Sequence, residues 1–140
     1  MHRPLLRHGF ILILLALLSG LAIPSLSIPR LGLSAHTIGI LSGTLLIAIG
    51  AIWKQFRLGS RQQWLMYWAW LYASYVNWLG CLLGATLGAG QTTPVAAAGT
   101  QGAPWAESLV AGLLISVAPA SLLAITLALW GIRGQAPAQD

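Results

Sequence analysis

This 140-residue sequence has very few charged side chains, and acidic ones are the scarcest. Only 6% of its residues are Asp, Glu, Lys or Arg, and two of these are acidic; a typical soluble domain has about 25% charged residues. In their place the chain has 57% hydrophobic residues and a mean hydropathy of +0.79. The composition excludes an ordinary soluble domain and predicts an integral membrane protein.

Several kinds of catalytic site are excluded by the residue types that are missing. The single cysteine, Cys81, cannot form an internal disulfide or a Cys-x-x-Cys pair. The sequence contains no pair of neighbouring carboxylates, no phosphate-binding glycine loop, no Ser-His-Asp set and no nucleic-acid-binding motif. A conventional hydrolytic site built from protein groups alone is therefore not expected, and chemistry in this chain would need a cofactor.

Four apolar stretches predict an all-α fold, an integral membrane four-helix bundle. Spanning a hydrocarbon core of ~30 Å takes about 20 predominantly apolar residues. The stretches of suitable length, with the first extended to about residue 26, are 10–23, 35–53, 64–87 and 105–132. Pro119 predicts a kink in the last of them. We assign 1–134 to a single transmembrane domain and 135–140 to a polar tail.

Two segments leave alternatives open. The basic residues before the first apolar stretch also fit a cleavable signal peptide, but no small-x-small cleavage site follows, and an even number of helices fits the charges better. The segment 88–104 contains glycines and prolines and no charged residue. Such a segment can dip back into the bilayer where protein buries it.

Positive charges predict the orientation in the membrane. Arg30 lies alone on one predicted side, whereas the other side has Arg3, Arg7, Lys54, Arg57, Arg61 and Arg133. Because cytoplasmic loops are enriched in Lys and Arg, both termini are expected in the cytoplasm. Aromatic belts agree: Trp105 marks the outer interface, and the inner one has Trp53, Trp64, Trp68 and Trp130.

His36 is the only ionisable side chain in the segment 34–53, and an ionisable group there is a functional hypothesis. Gly39 and Gly43 share its face of the helix because successive residues are rotated by about 100°. This flat strip beside a potential metal ligand can seat a planar cofactor or allow another helix to come close. A histidine that only bonds a loop carbonyl is the other interpretation.

Polar residues within the predicted helices supply further candidates. Asn77 lies ~20 Å into the third helix, near the depth of His36, and contacts either a substrate or a neighbouring helix. Ser42 either donates to a ligand or bonds the carbonyl four residues earlier. Glu107 fits a helix cap better than an acid–base catalyst, and His8 fits a solvent or lipid-phosphate contact.

An aromatic stripe along the third helix is a candidate substrate wall. Stripes of this kind usually pack on neighbouring helices or lipid, but beside a cavity they suit an aromatic substrate. The pocket candidates are Trp70, which shares the face of Asn77, together with Trp78 and Tyr75. Cys81, one turn from Asn77, is either a small hydrophobic residue or part of the same pocket.

Four motifs are spread along the chain: Arg-His-Gly at 7–9, Pro-Arg-Leu-Gly-Leu-Ser-Ala-His at 29–36, Tyr-Val-Asn-Trp-Leu at 75–79 and Pro-Val-Ala-Ala-Ala-Gly-Thr-Gln-Gly at 94–102. Together they resemble motifs of bacterial hydroxylaminobenzene mutases, and the resemblance covers about residues 5–134. Members of that family are small membrane proteins that isomerise hydroxylaminobenzene to 2-aminophenol in nitroarene degradation. The resemblance implies an intramolecular isomerase of a small aromatic substrate, spanning the bacterial inner membrane several times.

A more distant resemblance is to styrene oxide isomerase, a trimeric membrane isomerase that holds ferric haem b at its subunit interfaces through one histidine. That histidine falls at His36, and an asparagine of its third helix is matched by Asn77. Ser42 and Cys81 replace an asparagine and a pocket tyrosine, which favours the mutase reaction over epoxide isomerisation.

The resemblance implies haem b bound by His36 as its metal ligand, with Gly39 and Gly43 beside it. Asn77 and Ser42 would orient the substrate in a homo-oligomer, with a trimer favoured. The alternatives are an epoxide isomerase and a non-catalytic membrane protein whose small-residue strips only pack against other helices.

Overall fold

The computed structural model describes residues 1–133, and all regular structure in that range is helical. The helices are α1 (Arg3–Leu21), α2 (Pro29–Ala51), α3 (Ser60–Leu87), the short α4 (Pro94–Ala97) and α5 (Pro104–Gly131). Short 3-10 turns, Ile23–Ser25 and Trp53–Gln55, follow α1 and α2. The all-α class is confirmed, and the predicted tail 135–140 lies outside the described residues.

Three helices begin earlier than the sequence predicted. α1 begins at Arg3, before the apolar stretch, and α2 begins at Pro29 where residue 35 was expected. Proline suits the first turn of a helix because its fixed φ is helical and its missing N–H needs no partner there. α3 begins at Ser60, where the Gln62 side chain accepts from the Gly59 N–H. His36 therefore lies well inside α2 and not at its start.

The four long helices pack in a row. α2 packs on both α1 and α3, more extensively on α1, and α3 packs on α5, while α1 has only limited contact with α3. The largest buried cluster joins α1, α2, α3 and α5 around side chains such as Leu12, Leu46 and Met66. In this order one face of α2 lies against α1. Another face lies toward α3 and toward the connection 88–103, which follows α3.

Backbone contacts show which ends of the helices lie together. The His2 N–H donates to the Gly50 carbonyl at 2.7 Å, and the Arg57 N–H to the Gly131 carbonyl at 2.8 Å. At the opposite end, the Ile28 N–H donates to the Ala85 carbonyl at 3.0 Å. The start of α1 and the end of α5 therefore lie at the same end of the helix row.

Three of the described helices, α1, α2 and α5, are long and apolar enough to cross a membrane. α3 has 28 residues but begins with the polar sequence Ser-Arg-Gln-Gln at 60–63. The prediction of four membrane-spanning helices with both termini in the cytoplasm stays a prediction. Pro119 lies inside α5, which continues through it from Pro104 to Gly131.

Candidate functional site

A cavity of about 410 Å³ lies between α2, α3, α5 and the connection 88–103. Most of its wall is apolar. Its lining residues are Leu31, Ser34, Ile38, Asn77, Cys81, Thr92, Thr93, Ala96, Leu114 and Ile115. Because ligand sites are typically apolar clefts with a few polar groups, this cavity is the candidate substrate site.

Asn77 is the one side-chain amide that lines this cavity. It is partly buried, and its amide makes no hydrogen bond to another described residue. Cys81, 4% exposed, lies one turn further along α3 and lines the same cavity. An amide in such surroundings needs partners for its two N–H donors and its carbonyl oxygen. A molecule in the cavity can supply those partners.

Ser42 lies on the same face of α2 as Ser34 and Ile38, which line the cavity, but does not itself line it. Spacings of four residues place side chains on one helix face. The predicted alternative, a bond from the Ser42 hydroxyl to the carbonyl of residue 38, is not formed. Thr37 and Thr44 on the same helix do form bonds of that kind, to the carbonyls of Leu33 and Ile40.

The connection between α3 and α5 folds back over the cavity as a lid. We call residues 88–103 the lid; it contains α4 and contributes Thr92, Thr93 and Ala96 to the cavity wall. α3 ends where Gly88 takes a left-handed conformation, with φ of 69°, which suits glycine. The buried Ala97 packs in one cluster with Ile28 and Ala85, which fixes the lid against the ends of α2 and α3.

Glu107 fixes the lid from α5, a role the sequence did not predict. Its buried carboxylate accepts three backbone N–H bonds, from Gly90 at 3.0 Å, Gln91 at 3.0 Å and Gly102 at 2.8 Å. An ionised carboxylate suits this place because it only accepts hydrogen bonds. The expected cap of α5 is therefore an anchor for a separate segment, which only the three-dimensional fold brings near.

His36 faces α1, on the other side of α2 from the cavity. Its Nδ1 lies 2.8 Å from the carbonyl oxygen of Ala16, and its ring packs against Gly20. Because a carbonyl only accepts hydrogen bonds, Nδ1 must carry the proton, which leaves Nε2 available as a ligand atom. A histidine that binds a metal is commonly held in this way by its second nitrogen.

A hydrogen-bonded chain connects this histidine with the third helix. The Ser19 hydroxyl donates to the same Ala16 carbonyl at 2.9 Å, and the Trp78 indole N–H lies 3.5 Å from the Ser19 oxygen. Residues of α1, α2 and α3 therefore share one polar contact inside an apolar region. Ser19 is the one polar residue in the stretch 10–23, and this interruption was the only sign of its role.

Gly39 and Gly43 allow α1 and α2 to come close. A Cβ atom at Gly43 would lie 2.7 Å from the Gly9 carbonyl oxygen, and one at Gly39 would lie 2.5 Å from the Ala16 Cβ. Both distances are shorter than any van der Waals contact allows, so glycine is needed at each position. These contacts favour the helix-packing alternative, and a part for the two glycines in cofactor binding stays a prediction.

Trp70, Trp78 and Tyr75 do not line the Asn77 cavity. Trp70 is 6% exposed and belongs to the main core, while Trp78 packs beside Gly39 of α2. The Tyr75 hydroxyl donates to the His8 carbonyl at 3.2 Å and lies 3.1 Å from His8 Nδ1. The expected solvent or lipid contact of His8 is replaced by this pair, and the three aromatic residues contribute helix packing within one chain.

The surroundings of His36 decide what kind of metal centre it could serve. Within residues 1–133 no group of three or more His, Cys, Asp or Glu side chains is arranged to hold a metal ion. A metal at His36 would therefore find fewer than three such side chains within the described part of one chain, and haem iron, which takes one or two protein ligands, is compatible with this number. The imidazole held by the Ala16 carbonyl fits a haem ligand.

The fold and this site define a class of small all-helical proteins with helices apolar enough to cross a membrane and a lidded apolar cavity. The family model described as styrene oxide isomerase matches residues 1–133, and the chain belongs to that family. No solved structure matches it.

Two curated relatives from Ectopseudomonas oleovorans are similar over nearly the whole chain. Hydroxylaminobenzene mutase HabB is 42% identical over 138 residues, which cover 98% of this chain and 84% of the relative. Hydroxylaminobenzene mutase HabA is 38% identical over 129 residues, which cover 91% of this chain and 96% of the relative. The chain is therefore an enzyme of the intramolecular isomerase class.

Proposed function

We propose that this protein is a membrane isomerase that converts aryl hydroxylamines such as hydroxylaminobenzene to 2-aminophenols. The observation that carries the proposal is the apolar cavity with the unbonded Asn77 amide in its wall. The names of the two relatives support this substrate class. The reaction moves the hydroxyl group from nitrogen to the ortho carbon, and the proton that this carbon loses is replaced by one gained at nitrogen, so it needs no net oxidant, reductant or second substrate.

The apolar and the polar residues of the cavity wall have different roles in this reaction. Leu31, Ile38 and Leu114 surround the aromatic ring and keep water from adding to it when the N–O bond weakens. The Asn77 amide can donate to the hydroxylamine oxygen and accept from its N–H, which fixes the group relative to the ring. Ser42, with an unbonded hydroxyl one turn beyond Ile38, would assist in this orientation.

His36 would hold haem b through Nε2, with Nδ1 fixed by the Ala16 carbonyl. When bound, haem would supply a Lewis-acid iron that favours departure of oxygen from nitrogen. The Ser19 hydroxyl and the close α1–α2 packing keep the imidazole in one orientation. In this proposal His36 has a binding role and Asn77 contacts the substrate, while a contact from Ser42, which lies one turn beyond the cavity wall, stays a prediction.

A homo-oligomer, with a trimer favoured, would bring His36 and the cavity lined by Asn77 together. Ser34 and Ile38 line the cavity, and His36 lies between them in sequence, so its side chain points about 160° away around the helix. One chain therefore does not bring His36 and Asn77 into one cavity. Neighbouring copies in a closed ring would place the outer side of the α1–α2 pair of one against the cavity of the next.

The proposed location is the bacterial inner (cytoplasmic) membrane, which the chain would cross several times with both termini in the cytoplasm. The basic residues support it, because Lys54 and Arg57 lie at the same end of the helix row as the start of α1 and the end of α5. The exposed Trp64 and Trp130 are also near that end, and Trp105 lies in the first turn of α5 at the other end.

The test is to give purified protein, reconstituted in vesicles, hydroxylaminobenzene and styrene oxide in turn. We expect 2-aminophenol from the first, and the epoxide isomerase alternative predicts phenylacetaldehyde from the second. Asn77→Leu should lose activity without losing thermal stability, because the substitution breaks no hydrogen bond of the Asn77 amide within the described chain. The control is Tyr72→Phe, which removes only an exposed bond to Ser116 on α5; equal activity of both variants would contradict the role of Asn77.

A further inference from the structure

Thr93 has a buried hydroxyl that the fold does not use. Its Oγ1 is shielded from solvent and has no hydrogen-bond partner within residues 1–133. Threonine before a helix usually caps it by accepting a backbone N–H, but the Thr93 side chain makes no such bond to α4. Buried hydroxyls are nearly always bonded in native proteins, so this one needs a partner from elsewhere.

The position of Thr93 indicates where that partner comes from. Thr93 lines the same cavity as Asn77, from the lid, while Asn77 lines it from α3. The cavity is therefore bordered by two side chains with unused hydrogen-bonding capacity on two different elements. The Glu107 carboxylate fixes the lid backbone on either side of Thr93, at Gly90 before it and at Gly102 after it, so the residue is held in place over the cavity.

We propose that Thr93 is a substrate-contacting residue, whose hydroxyl bonds the hydroxylamine group on the side opposite Asn77. The proposal rests on the proposed function and extends it to a second element. In the free protein the Thr93 hydroxyl is shielded from solvent. Rotation of χ1 to another staggered position would place the hydroxyl where the methyl group or the hydrogen of Cβ now lies. An N–OH group in the cavity provides the bond that makes the exchanged position favourable.

This role predicts opposite effects on stability and on catalysis. Thr93→Val keeps the shape of the side chain and removes a hydroxyl that has no partner in the free protein, so the thermal midpoint should stay the same or rise. The same change removes a bond to the substrate. KM should rise roughly tenfold with kcat nearly unchanged, as expected for a contact made in both the bound substrate and the transition state.

The experiment compares Thr93→Val, Thr93→Ser and Thr100→Val in vesicles, with hydroxylaminobenzene as substrate and 2-aminophenol measured by chromatography. Thr93→Ser keeps the hydroxyl and should keep KM within about twofold of the original protein. Thr100 is an exposed lid residue outside the cavity, and its variant should behave like the original protein. Thermal midpoints are measured on the same preparations.

The outcomes separate this inference from the proposed function. If the original protein forms no 2-aminophenol, the proposed function is wrong. If it is active and Thr93→Val has an unchanged KM, or if Thr93→Ser is as impaired as Thr93→Val, the hydroxyl does not contact the substrate. A lower thermal midpoint in Thr93→Val would show that the hydroxyl has a structural partner, and would also overturn the inference.

Discussion

The two faces of α2 are built in different ways. On one face, Gly39 and Gly43 press against α1, and His36 bonds the Ala16 carbonyl. On the other face, Ser34 and Ile38 border an open cavity whose wall includes the unbonded Asn77 amide. One side of α2 is therefore tightly packed around a hydrogen-bonded imidazole, while the other side borders a cavity that is also lined by the unbonded Asn77 amide of α3.

This difference indicates what each face is suited to do. Close packing and a fixed hydrogen bond hold an imidazole in one orientation, which is what a ligand to a cofactor needs. Unused polar groups around an apolar cavity cost free energy until a ligand satisfies them. The proposed function accordingly places cofactor binding at His36 and substrate binding at the open face, and three substitutions test that division.

The largest effect is expected at the packed face, from His36→Ala. If Nε2 of His36 holds the haem iron, this variant should lose the Soret absorption band, and its activity should fall by more than about 100-fold. Mutation of a residue that only hydrogen-bonds a metal ligand already lowers metal affinity or activity by ~10–100-fold. His8→Gln is the control, because the His8 side chain pairs with Tyr75 of α3 and does not line the cavity. A Soret band that survives in His36→Ala would remove this residue from cofactor binding.

The next effect is expected from the lid, through Glu107→Gln. A glutamine has one acceptor oxygen and an NH₂ group, so it cannot serve three N–H donors, and the lid should loosen. We expect a roughly tenfold fall in kcat/KM from misplaced cavity residues. Limited proteolysis should also cut faster within 88–103.

The control for the lid is Ser108→Ala, which removes an exposed hydroxyl bonded to the Pro104 carbonyl. It should leave both the proteolysis pattern and the activity unchanged. Identical cleavage of Glu107→Gln and the original protein would show that the lid is held without the carboxylate.

A smaller effect is expected from Ser19→Ala, which tests how far the packed face depends on its hydrogen-bonded chain. The change deprives the Trp78 indole N–H of its partner among the described residues while leaving the bond between His36 and Ala16. The cost should be about 1 kcal/mol of unfolding free energy and a modest loss of activity. Ser25→Ala is the control, since Ser25 makes a similar bond to the Ala22 carbonyl but is exposed. Equal losses of stability and activity in both variants would show that the hydrogen bond between Ser19 and Trp78 has no special importance.

The smallest effect is a pH dependence at the start of α1. Burial, followed by the nearby N-terminal ammonium, lowers the pKa of His2 from its ordinary value, and neutral Nδ1 accepts the Leu5 N–H at 3.4 Å. A group with a lowered pKa in the folded state stabilises the fold above about pH 6.5. That contribution is lost as the pH falls through this value toward the folded pKa.

The measurement is the thermal midpoint from about pH 7.5 to about pH 5, a range that brackets the ordinary histidine pKa. His2→Asn keeps a capping oxygen without the titration, so its midpoint should decline less in this range. Equal declines in the two proteins would show that other groups cause the pH dependence.

The sequence predicted the helices because that signal is local. Long apolar stretches require helices in a bilayer, and His36 and Asn77 are conspicuous as polar residues within them. The start of α2 was placed too late because Gly32 and Ser34 indicated a loop, whereas Pro29 in fact begins the helix.

The rest of the site depends on contacts between residues distant in the chain. The lid folds over the cavity because Glu107 bonds backbone groups up to 17 residues away, and a sequence pattern does not show which backbone groups a carboxylate meets. The place of Thr93 in the cavity wall could not be predicted from the sequence for the same reason. The opposite placement of His36 and Asn77 required knowledge of which face of α2 meets α1.

Complementation between inactive chains tests the division between the faces most directly. His36→Ala and Asn77→Leu are co-expressed in equal amounts, and the mixed oligomers are assayed with hydroxylaminobenzene. If neighbouring copies contribute the two residues to one site, about a quarter of the sites in randomly mixed closed oligomers contain both intact residues, and activity should return to about that fraction. No activity above that of either variant alone would contradict a site that combines His36 of one copy with Asn77 of the next.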